Sequence, residues 1–255
     1  MSTPNPMDLT GRHILVTGAS SGLGRDIAVF LSELGARLVL VGRKEDTLNH
    51  TLSILSGSGH SVAVYDMTEV QGIPAWMKQI TASHGLLDGL VHAAGVINYA
   101  PLQALSVAQM ERELNTNLVS ALMLAKGYRQ KSCGNRGGSI VFISSVAGLS
   151  GQGGLAVYSA TKAGLIAAAQ SLVRDLAAID TRINCVAPGM VDTGMREQAE
   201  DDLPNENLKA VIDAHFLGLG KPRDVSHAVA FLLAESGRWI TGSTLVIDGG
   251  YTASR

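Results

Sequence analysis

Seven short runs of apolar and β-branched residues, separated by longer helical stretches, constrain the fold of this chain most. The candidate strands are His13–Val16, Leu38–Val41, Ser61–Tyr65, Gly89–His92, Ser139–Ile143, Arg182–Val186 and Thr244–Ile247. The candidate helices are Gly22–Leu34, Lys44–Ser56, Val70–Ser83, Ser106–Lys131, Gly154–Ala178 and Arg223–Ala234. Strands that are apolar on both faces and alternate with helices pair in parallel, and the helices cover both faces of the sheet. The pattern predicts an α/β fold, a doubly wound Rossmann-type sheet of seven parallel strands with its ligand site at their carboxyl ends.

A chain of 255 residues suits one domain of this kind, and no repeat or linker divides it. The stretch from about 190 to 219 departs from the regular pattern. It carries four acidic residues between positions 197 and 202, then Pro204 and the apolar Phe216. We expect this stretch to be a mobile excursion near the substrate, between the sixth strand and the last helix.

Composition excludes several classes of protein. Hydrophobic residues make up 46% of the chain and charged residues 16%, which favours a folded protein over a disordered one. The net charge of −2 and the lack of a basic run argue against a nucleic-acid partner. No long apolar span or secretory signal is recognisable, so no membrane partner is expected. Cys133 and Cys185 lack metal-ligand spacing and suggest reduced thiols, so we expect a soluble cytoplasmic protein without a metal.

A glycine-rich turn, Thr17–Gly24, lies between the first strand and the first helix. Glycine allows the backbone to turn sharply and approach a ligand, and the following helix offers its first N–H groups to a pyrophosphate. In this position the turn predicts a dinucleotide site, although a glycine-rich turn elsewhere is often only a tight connection. The predicted contacts are Gly18, Ser20, Ser21, Gly22, Leu23 and Gly24.

The end of the second strand distinguishes the two nicotinamide cofactors. A carboxylate there binds a ribose 2′-hydroxyl, whereas an arginine accepts a 2′-phosphate. This chain has Arg43, with no carboxylate before Glu45, so NADP(H) is favoured over NAD(H); alternatively, Arg43 only begins the next helix in solvent. Asp66, followed by Met67, ends the third strand, where it can meet an adenine amino group or cap a helix.

Tyr158 and Lys162 are four residues apart in a helix-forming stretch, so their side chains share one helix face. A fixed ammonium near a phenol favours the phenolate and lowers the phenol pKa. Moving that pKa from about 10 toward neutrality requires roughly 3 units, or about 4 kcal/mol. We expect Tyr158 to be tuned in this way as a general acid or base for a carbonyl/alcohol pair.

Together these motifs resemble the short-chain dehydrogenase/reductase family over nearly the whole chain, from Gly11 to Gly250. The matching pieces are Thr17–Gly24, Asp66, His92–Gly95, Asn117, Ser145 thirteen residues before Tyr158, Lys162, Pro188–Thr193, Ile240–Gly242 and Val246–Gly250. The resemblance adds Ala93, Ala94, Gly95, Pro188, Gly189, Val191, Thr193, Tyr158 and Lys162 to the expected cofactor contacts.

The resemblance also implies catalytic roles for four residues. Tyr158 exchanges a proton with the substrate oxygen, and Ser145 stabilises the charge that develops there. Lys162 lowers the pKa of Tyr158 and holds the nicotinamide ribose. Asn117 positions a water that links Lys162 to solvent.

Three positions leave a choice. The family usually has asparagine at His92, and we interpret the histidine as structural; titration near neutrality would add a pH dependence. Asn117 rather than Asn115 is taken as the family's asparagine, because Leu118 and a small residue follow it. Ser144 is interpreted as structural, because Ser145 has the expected spacing to Tyr158.

Within the family, the Gly220–Val225 turn and the closing motif resemble 3-oxoacyl-[acyl-carrier-protein] reductases of fatty acid biosynthesis. The resemblance implies a carbonyl substrate, and a carrier-protein partner would need a basic surface near the site. Arg129, Lys131 and Arg136 are the candidates for that surface; a solvated basic face is the alternative.

Other functions remain open. Sugar, polyol and steroid alcohol dehydrogenases share the same segments. A non-catalytic nucleotide-binding protein on this fold is a second class, although such a protein is expected to lose a catalytic residue. Nucleotide-sugar epimerases use the same tyrosine and lysine but usually have a longer carboxyl-terminal domain.

Two predicted helices, Ser106–Lys131 and Gly154–Ala178, carry small and apolar residues on more than one face. One face can pack on the sheet and the other on a second subunit. Relatives commonly assemble through these helices, so a homodimer or homotetramer is expected.

Overall fold

The computed structural model describes residues 5–194 and 205–254. Its strands are β1 His13–Thr17, β2 Arg37–Gly42, β3 Ser61–Val64, β4 Leu87–His92, β5 Gly134–Ile143, β6 Arg182–Pro188 and β7 Thr244–Ile247. They form one seven-stranded sheet in the order β3-β2-β1-β4-β5-β6-β7, and every pairing is parallel. The predicted fold class is confirmed.

Helices cover both faces of the sheet. They are α1 Gly22–Glu33, α2 Glu45–Ser53, α3 Ile73–His84, α4 Val107–Leu114, α5 Ser120–Tyr128, α6 Ala156–Ala177, α7 Asn205–Asp213 and α8 Pro222–Leu233. Helices α1, α2 and α8 share one buried core with Ile14 and Val16 of β1, whereas α3, α5 and α6 share the other core with Leu15. Alternate residues of a strand point to opposite faces, so a strand buried on both sides must be apolar throughout.

The long helix predicted over Ser106–Lys131 differs from the structure. It is divided by a π-helical segment, Asn115–Val119, between α4 and α5, and the helix ends at Tyr128. Such π segments often lie at functional sites and carry no clear sequence signal.

Strand β5 begins at Gly134, five residues before the predicted start at Ser139. Glycines and polar residues fill its first half and have low strand propensity. The buried Tyr128 ring explains the glycines, because a Cβ at Gly134 would lie 2.5 Å from a ring carbon.

Residues 195–204 of the expected excursion lie outside the described residues, so its mobility stays a prediction. Its later part contains α7, which the sequence analysis did not predict. Among residues 5–194 and 205–254, no helix combines the length and the apolar character needed to cross a membrane.

Candidate active site

A cavity of about 480 Å³ lies at the carboxyl ends of the strands. Its wall includes every predicted cofactor contact, namely Gly18, Ser20, Ser21, Gly22, Leu23, Gly24, Arg43, Asp66, Met67, Ala93, Ala94, Gly95, Pro188, Gly189, Val191, Thr193, Tyr158 and Lys162. Ser145 also lines the cavity, whereas Asn117 does not. The fold thus brings both ends of the predicted site into one space.

The glycine-rich turn is shaped by close backbone packing. Gly18 has a φ of +68°, and a Cβ there would lie 2.9 Å from main-chain atoms of Ala93 and Ala94. Thr17 Oγ1 accepts hydrogen bonds from both alanine N–H groups, each at 3.1 Å, so the loops after β1 and β4 are joined. Ser21 is the N-cap residue of α1, but its side chain makes no capping hydrogen bond. The first N–H groups of the helix therefore remain available at the cavity wall.

Arg43 and Asp66 lie at the same end of the cavity. Asp66 accepts hydrogen bonds from the Thr68 N–H and hydroxyl, both at 2.9 Å, so it caps a turn and still faces the cavity. Partial burial opposes its charge, but the Thr68 bonds and the positive charges of Arg43 and Arg112 lower its pKa. Arg112 of α4, which the sequence analysis did not single out, makes this end more cationic.

Tyr158, Lys162 and Ser145 converge at the other end of the cavity. The Ser145 hydroxyl hydrogen-bonds the Tyr158 hydroxyl and also accepts from the Ala147 N–H at 3.2 Å. Lys162 Nζ lies 5.4 Å from the centre of the Tyr158 ring and donates to the Ile143 carbonyl at 2.8 Å. This geometry can present a hydroxyl pair and an ammonium to one ligand.

The expected lowering of the Tyr158 pKa by Lys162 is wrong for this chain. Burial raises the pKa of Tyr158 to about 12, against the hydrogen bond from Ser145, and lowers the pKa of Lys162 to about 8. The Lys162 ammonium lies over the ring and is bonded to the Ile143 carbonyl, so it does not offset the burial of the phenol. Tyr158 is therefore held as a neutral phenol, which is the form that donates a proton.

Asn117 lies in the π-helical segment and is fully buried. Its Oδ1 accepts from the Val96 N–H at 2.8 Å, and its Nδ2 donates to the Val96 carbonyl at 2.9 Å and to Thr161 Oγ1 at 3.2 Å. The side-chain amide thus fixes the cavity wall after β4. The water-positioning role implied by the resemblance stays a prediction.

The adjacent serines have different partners. Ser144 is buried, and its hydroxyl donates to the Lys162 carbonyl at 2.8 Å, in agreement with the structural interpretation. The Ser145 hydroxyl instead meets the Tyr158 hydroxyl.

His92 ends β4 and is fully buried. Ser120 Oγ donates to the Thr116 carbonyl at 2.7 Å, so it accepts from His92 Nε2–H, 2.8 Å away. Burial, with the positive charge of Lys162, lowers the pKa of His92 to about 3. His92 stays neutral near pH 7, so the condition for a pH dependence there is not met, and the buried hydrogen bond to Ser120 agrees with the structural interpretation.

A buried connection that no sequence motif indicated lies at the nicotinamide side of the predicted site. His215 Nε2 accepts from the Met190 N–H at 2.9 Å, and its Nδ1–H donates to the Val211 carbonyl of α7 at 2.7 Å. Its ring stacks on Tyr251 at 4.6 Å, and Gln152 Nε2 donates to the Tyr251 hydroxyl at 2.8 Å. Loops distant in sequence are thereby fixed around the cavity.

The basic residues considered for carrier docking do not lie at the cavity mouth within one chain. Arg136 belongs to the first half of β5, at the amino-terminal ends of the strands and so opposite the cavity. It forms an exposed ion pair with Asp180 at 2.7 Å. Arg129 and Lys131 lie between the end of α5 and the start of β5, on the same side. The expectation that these residues form a basic docking surface near the site is therefore wrong for a single chain.

Known proteins that are similar to this chain agree with the site described above. A family model described as enoyl-(acyl carrier protein) reductase matches residues 18–252. The chain belongs to the short-chain dehydrogenase/reductase family. Curated relatives in this oxidoreductase family include 3-oxoacyl-[acyl-carrier-protein] reductases of Vibrio cholerae and Escherichia coli. Each is 34% identical over 244 residues, which are 96% of this chain and 98% of the relative.

Solved structures agree with this assignment. A structure described as a short-chain alcohol dehydrogenase from Sinorhizobium meliloti has a TM-score of 0.88 at 29% identity and covers 98% of this chain and 99% of its own. A structure described as a 2-deoxy-d-gluconate 3-dehydrogenase from Agrobacterium tumefaciens, with bound NADP, has a TM-score of 0.86 at 30% identity, covering 98% and 100%.

The cavity of this short-chain dehydrogenase/reductase fits a nicotinamide dinucleotide. A Cβ at Gly18 or Gly24 would overlap main-chain atoms, so only glycine lets the turn pack this closely and place the first residues of α1 at the cavity wall, where their N–H groups suit a pyrophosphate. Arg43 and Asp66 lie at one end, and Tyr158 and Lys162 at the other. In the described part of the chain, no group of His, Cys, Asp or Glu side chains could hold a metal ion.

Proposed function

We propose that this protein is an NADP(H)-dependent reductase of 3-oxoacyl thioesters, and that it interconverts their 3-oxo group and a secondary alcohol. One observation carries the proposal: a single cavity joins a cationic end at Arg43 to the cluster of Ser145, Tyr158 and Lys162. The names of the curated relatives support the thioester as substrate.

At the nucleotide end, the chain provides binding and orientation. The first N–H groups of α1 and the glycine-rich turn that lines the cavity suit a pyrophosphate. Arg43 suits a 2′-phosphate, because a guanidinium pairs with it through two hydrogen bonds. A bound nicotinamide supplies the hydride in reduction and accepts it in oxidation.

At the reacting end, the side chains handle the proton. The Tyr158 hydroxyl donates its proton to the carbonyl oxygen, and the Ser145 hydroxyl stabilises the negative charge that develops there. Lys162, positively charged beside them, favours that charge and can return a proton to Tyr158. Near neutral pH the Tyr158 phenol is protonated, which is the form that donates a proton in the reduction direction.

The substrate end of the cavity favours an acyl chain over a sugar. Ile97 and Tyr99 pack against Leu155 and Tyr158, and Val146, Met190 and Val211 line the same cavity. Apolar side chains bind methylene groups through burial and leave sugar hydroxyls without partners. Gln152 and His215 are polar exceptions at this end.

The direct test is steady-state oxidation of NADPH with a short 3-oxoacyl thioester, beside sugar ketones and steroid ketones. We expect turnover of the thioester and a preference for NADPH over NADH. Turnover of sugars alone would reject the thioester proposal in favour of the sugar-dehydrogenase alternative. Cofactor binding with no turnover of any carbonyl compound would favour a non-catalytic protein.

We also propose that the protein acts as a homodimer or homotetramer. The outer faces of α5 and α6 form a groove lined by Leu122, Ala125 and Leu172 beside Lys126, Arg129 and Asp175. Leu122 is 37% exposed, and a second subunit would cover it.

We infer a cytoplasmic location. Cys133 and Cys185 are buried free thiols, and free thiols persist in a reducing compartment.

A further inference from the structure

Glu113 is a buried carboxylate that the proposed mechanism does not use. It lies in the last turn of α4 and is 1% exposed. Asn98 hydrogen-bonds the carboxylate through its main chain and its side chain. Its Oε1 is buried and has no hydrogen-bond partner among the described residues. A buried charge of this kind is costly unless an opposite charge compensates it.

Glu113 and Asn117 both hold the cavity wall in place. The two residues are four apart, on either side of the start of the π-helical segment. Asn117 fixes Val96, and Glu113 fixes Asn98, so both act on the loop after β4. Ile97 and Tyr99 of that loop line the cavity. Glu113 therefore lies directly behind the wall of the reacting end.

The charge of Glu113 acts on the Tyr158–Lys162 pair across this wall. Helix α4 packs against α6. Burial is the largest influence on the pKa of both Tyr158 and Lys162; the negative charge of Glu113 acts toward a higher pKa at each of them, and at Lys162 it partly offsets the lowering by burial. Burial raises the pKa of Glu113 itself, and the Lys162 ammonium opposes that effect.

Other titratable groups face the pair from neighbouring elements. Tyr99 of the loop after β4 acts on Tyr158, and Cys185 of β6 acts on Lys162. His92 of β4 is also near Lys162, but its low pKa keeps it neutral.

We propose that Glu113 is a positioning residue whose negative charge keeps Lys162 protonated and Tyr158 neutral, and thereby sets the pH range in which the site donates a proton. The inference rests on the proposed roles of Tyr158 and Lys162. Holding the loop needs only a hydrogen-bond acceptor, so a neutral amide would serve that purpose equally well.

Glu113→Gln separates these two roles, because glutamine keeps the size and an acceptor oxygen but removes the charge. We expect the alkaline limb of the pH–rate profile for carbonyl reduction to move down by about one pH unit. The acidic limb of alcohol oxidation should move down by the same amount, since both limbs report the Tyr158–Lys162 pair. Glu113→Asp, which keeps the charge, should retain the wild-type limbs. The control Glu111→Gln removes an exposed charge from the same helix and should shift neither limb.

A second readout does not require turnover. Ultraviolet difference titration of tyrosinate, with the Tyr158→Phe protein as background, gives the ionisation midpoint of Tyr158. We expect a lower midpoint in Glu113→Gln and in Glu113→Leu, a second charge-free variant. An unchanged midpoint in either folded variant overturns the inference. A lowered midpoint in a protein that turns over no carbonyl compound would support the role of Glu113 while rejecting the proposed function.

Discussion

Neighbouring side chains in this site differ in role because their partner atoms differ. Ser144 donates its hydroxyl to the main chain of α6, whereas Ser145 meets the Tyr158 hydroxyl. Lys162 lies over the Tyr158 ring but donates to the Ile143 carbonyl. The role of each side chain therefore depends on which single atom it contacts and on the charge of that atom.

Tyr158→Phe removes the proposed proton donor. We expect kcat for carbonyl reduction to fall by about 10²- to 10⁴-fold, because general acid catalysis contributes that much. NADPH affinity, measured by fluorescence titration, should fall far less than kcat, because only one of the many predicted cofactor contacts loses a hydroxyl. The matched control is Tyr65→Phe, at the other end of the cavity, where the hydroxyl donates to the Glu69 carbonyl. Equal rates for Tyr158→Phe and the wild type would contradict the assignment.

Arg43→Ala removes the proposed 2′-phosphate contact. We expect the Kd for NADPH to rise by about 10- to 100-fold, since a hydrogen-bonded charge pair is lost. The Kd for NADH should stay near the wild-type value. Lys44→Ala removes an adjacent exposed charge and serves as the control. An equal loss of affinity for both cofactors would show that Arg43 does not read the phosphate.

His92 gives a pH-dependent contribution to stability. Its folded pKa of about 3 lies below the usual 6.5, so the unfolded chain binds a proton there that the folded protein excludes. Stability from this group is present above about pH 6.5 and is lost as the pH falls toward 3. We expect His92→Asn to lose less unfolding free energy than the wild type between pH 7 and pH 4, measured with urea. Equal losses would place the His92 pKa near its ordinary value.

At the scale of elements, the connections between strands and helices decide the shape of the cavity. The turn before α1 packs against the loop after β4 with no room for side chains at Gly18. The π-helical segment places Asn117 against the main chain of Val96. Both connections are stabilised by main-chain contacts that a small change can disturb.

Gly24→Ala tests the packing of α1 on its turn. A Cβ at Gly24 would overlap the Gly18 carbonyl, which is main chain and cannot rotate away. Alanine favours a helix by about 1 kcal/mol, yet we expect a net loss of about 1–3 kcal/mol in urea unfolding, together with weaker NADPH binding. Gly153→Ala, where nothing lies within 4 Å, should be nearly neutral. A Gly24 variant as stable as the Gly153 variant would contradict the close packing.

At the scale of the whole molecule, helices cover both faces of the sheet, and a groove lies between the outer sides of α5 and α6. Helices α1, α2 and α8 cover one face, and α3, α5 and α6 cover the other. The outer sides of α5 and α6 still present apolar surface to solvent. Apolar surface of this kind is reduced when subunits associate.

Leu122→Asp tests the proposed association. A charge in the groove would have to be desolvated between subunits, so we expect a smaller mass by light scattering at micromolar concentration. Ile54→Asp, which alters an exposed residue just after α2, should keep the wild-type mass. A wild-type protein that is already monomeric would contradict the proposal.

The sequence determined the parts of this protein that depend on local pattern. Apolar runs buried on both faces, such as Ile14–Val16, require a parallel sheet covered by helices, and this predicted the seven strands. Spacing placed Tyr158 and Lys162 on one helix face, and motif order indicated the family. Each of these depends on residues that are close in the chain.

The tertiary structure decided what depends on distant neighbours. Burial reverses the expected shift of the Tyr158 pKa, because desolvation is a property of the packed core and not of a four-residue spacing. Glu113, His215 and Arg112 face the site region only because the fold brings α4, α7 and the strand ends together. No local pattern distinguishes such residues from solvent-exposed ones, since their partners lie far away in the sequence.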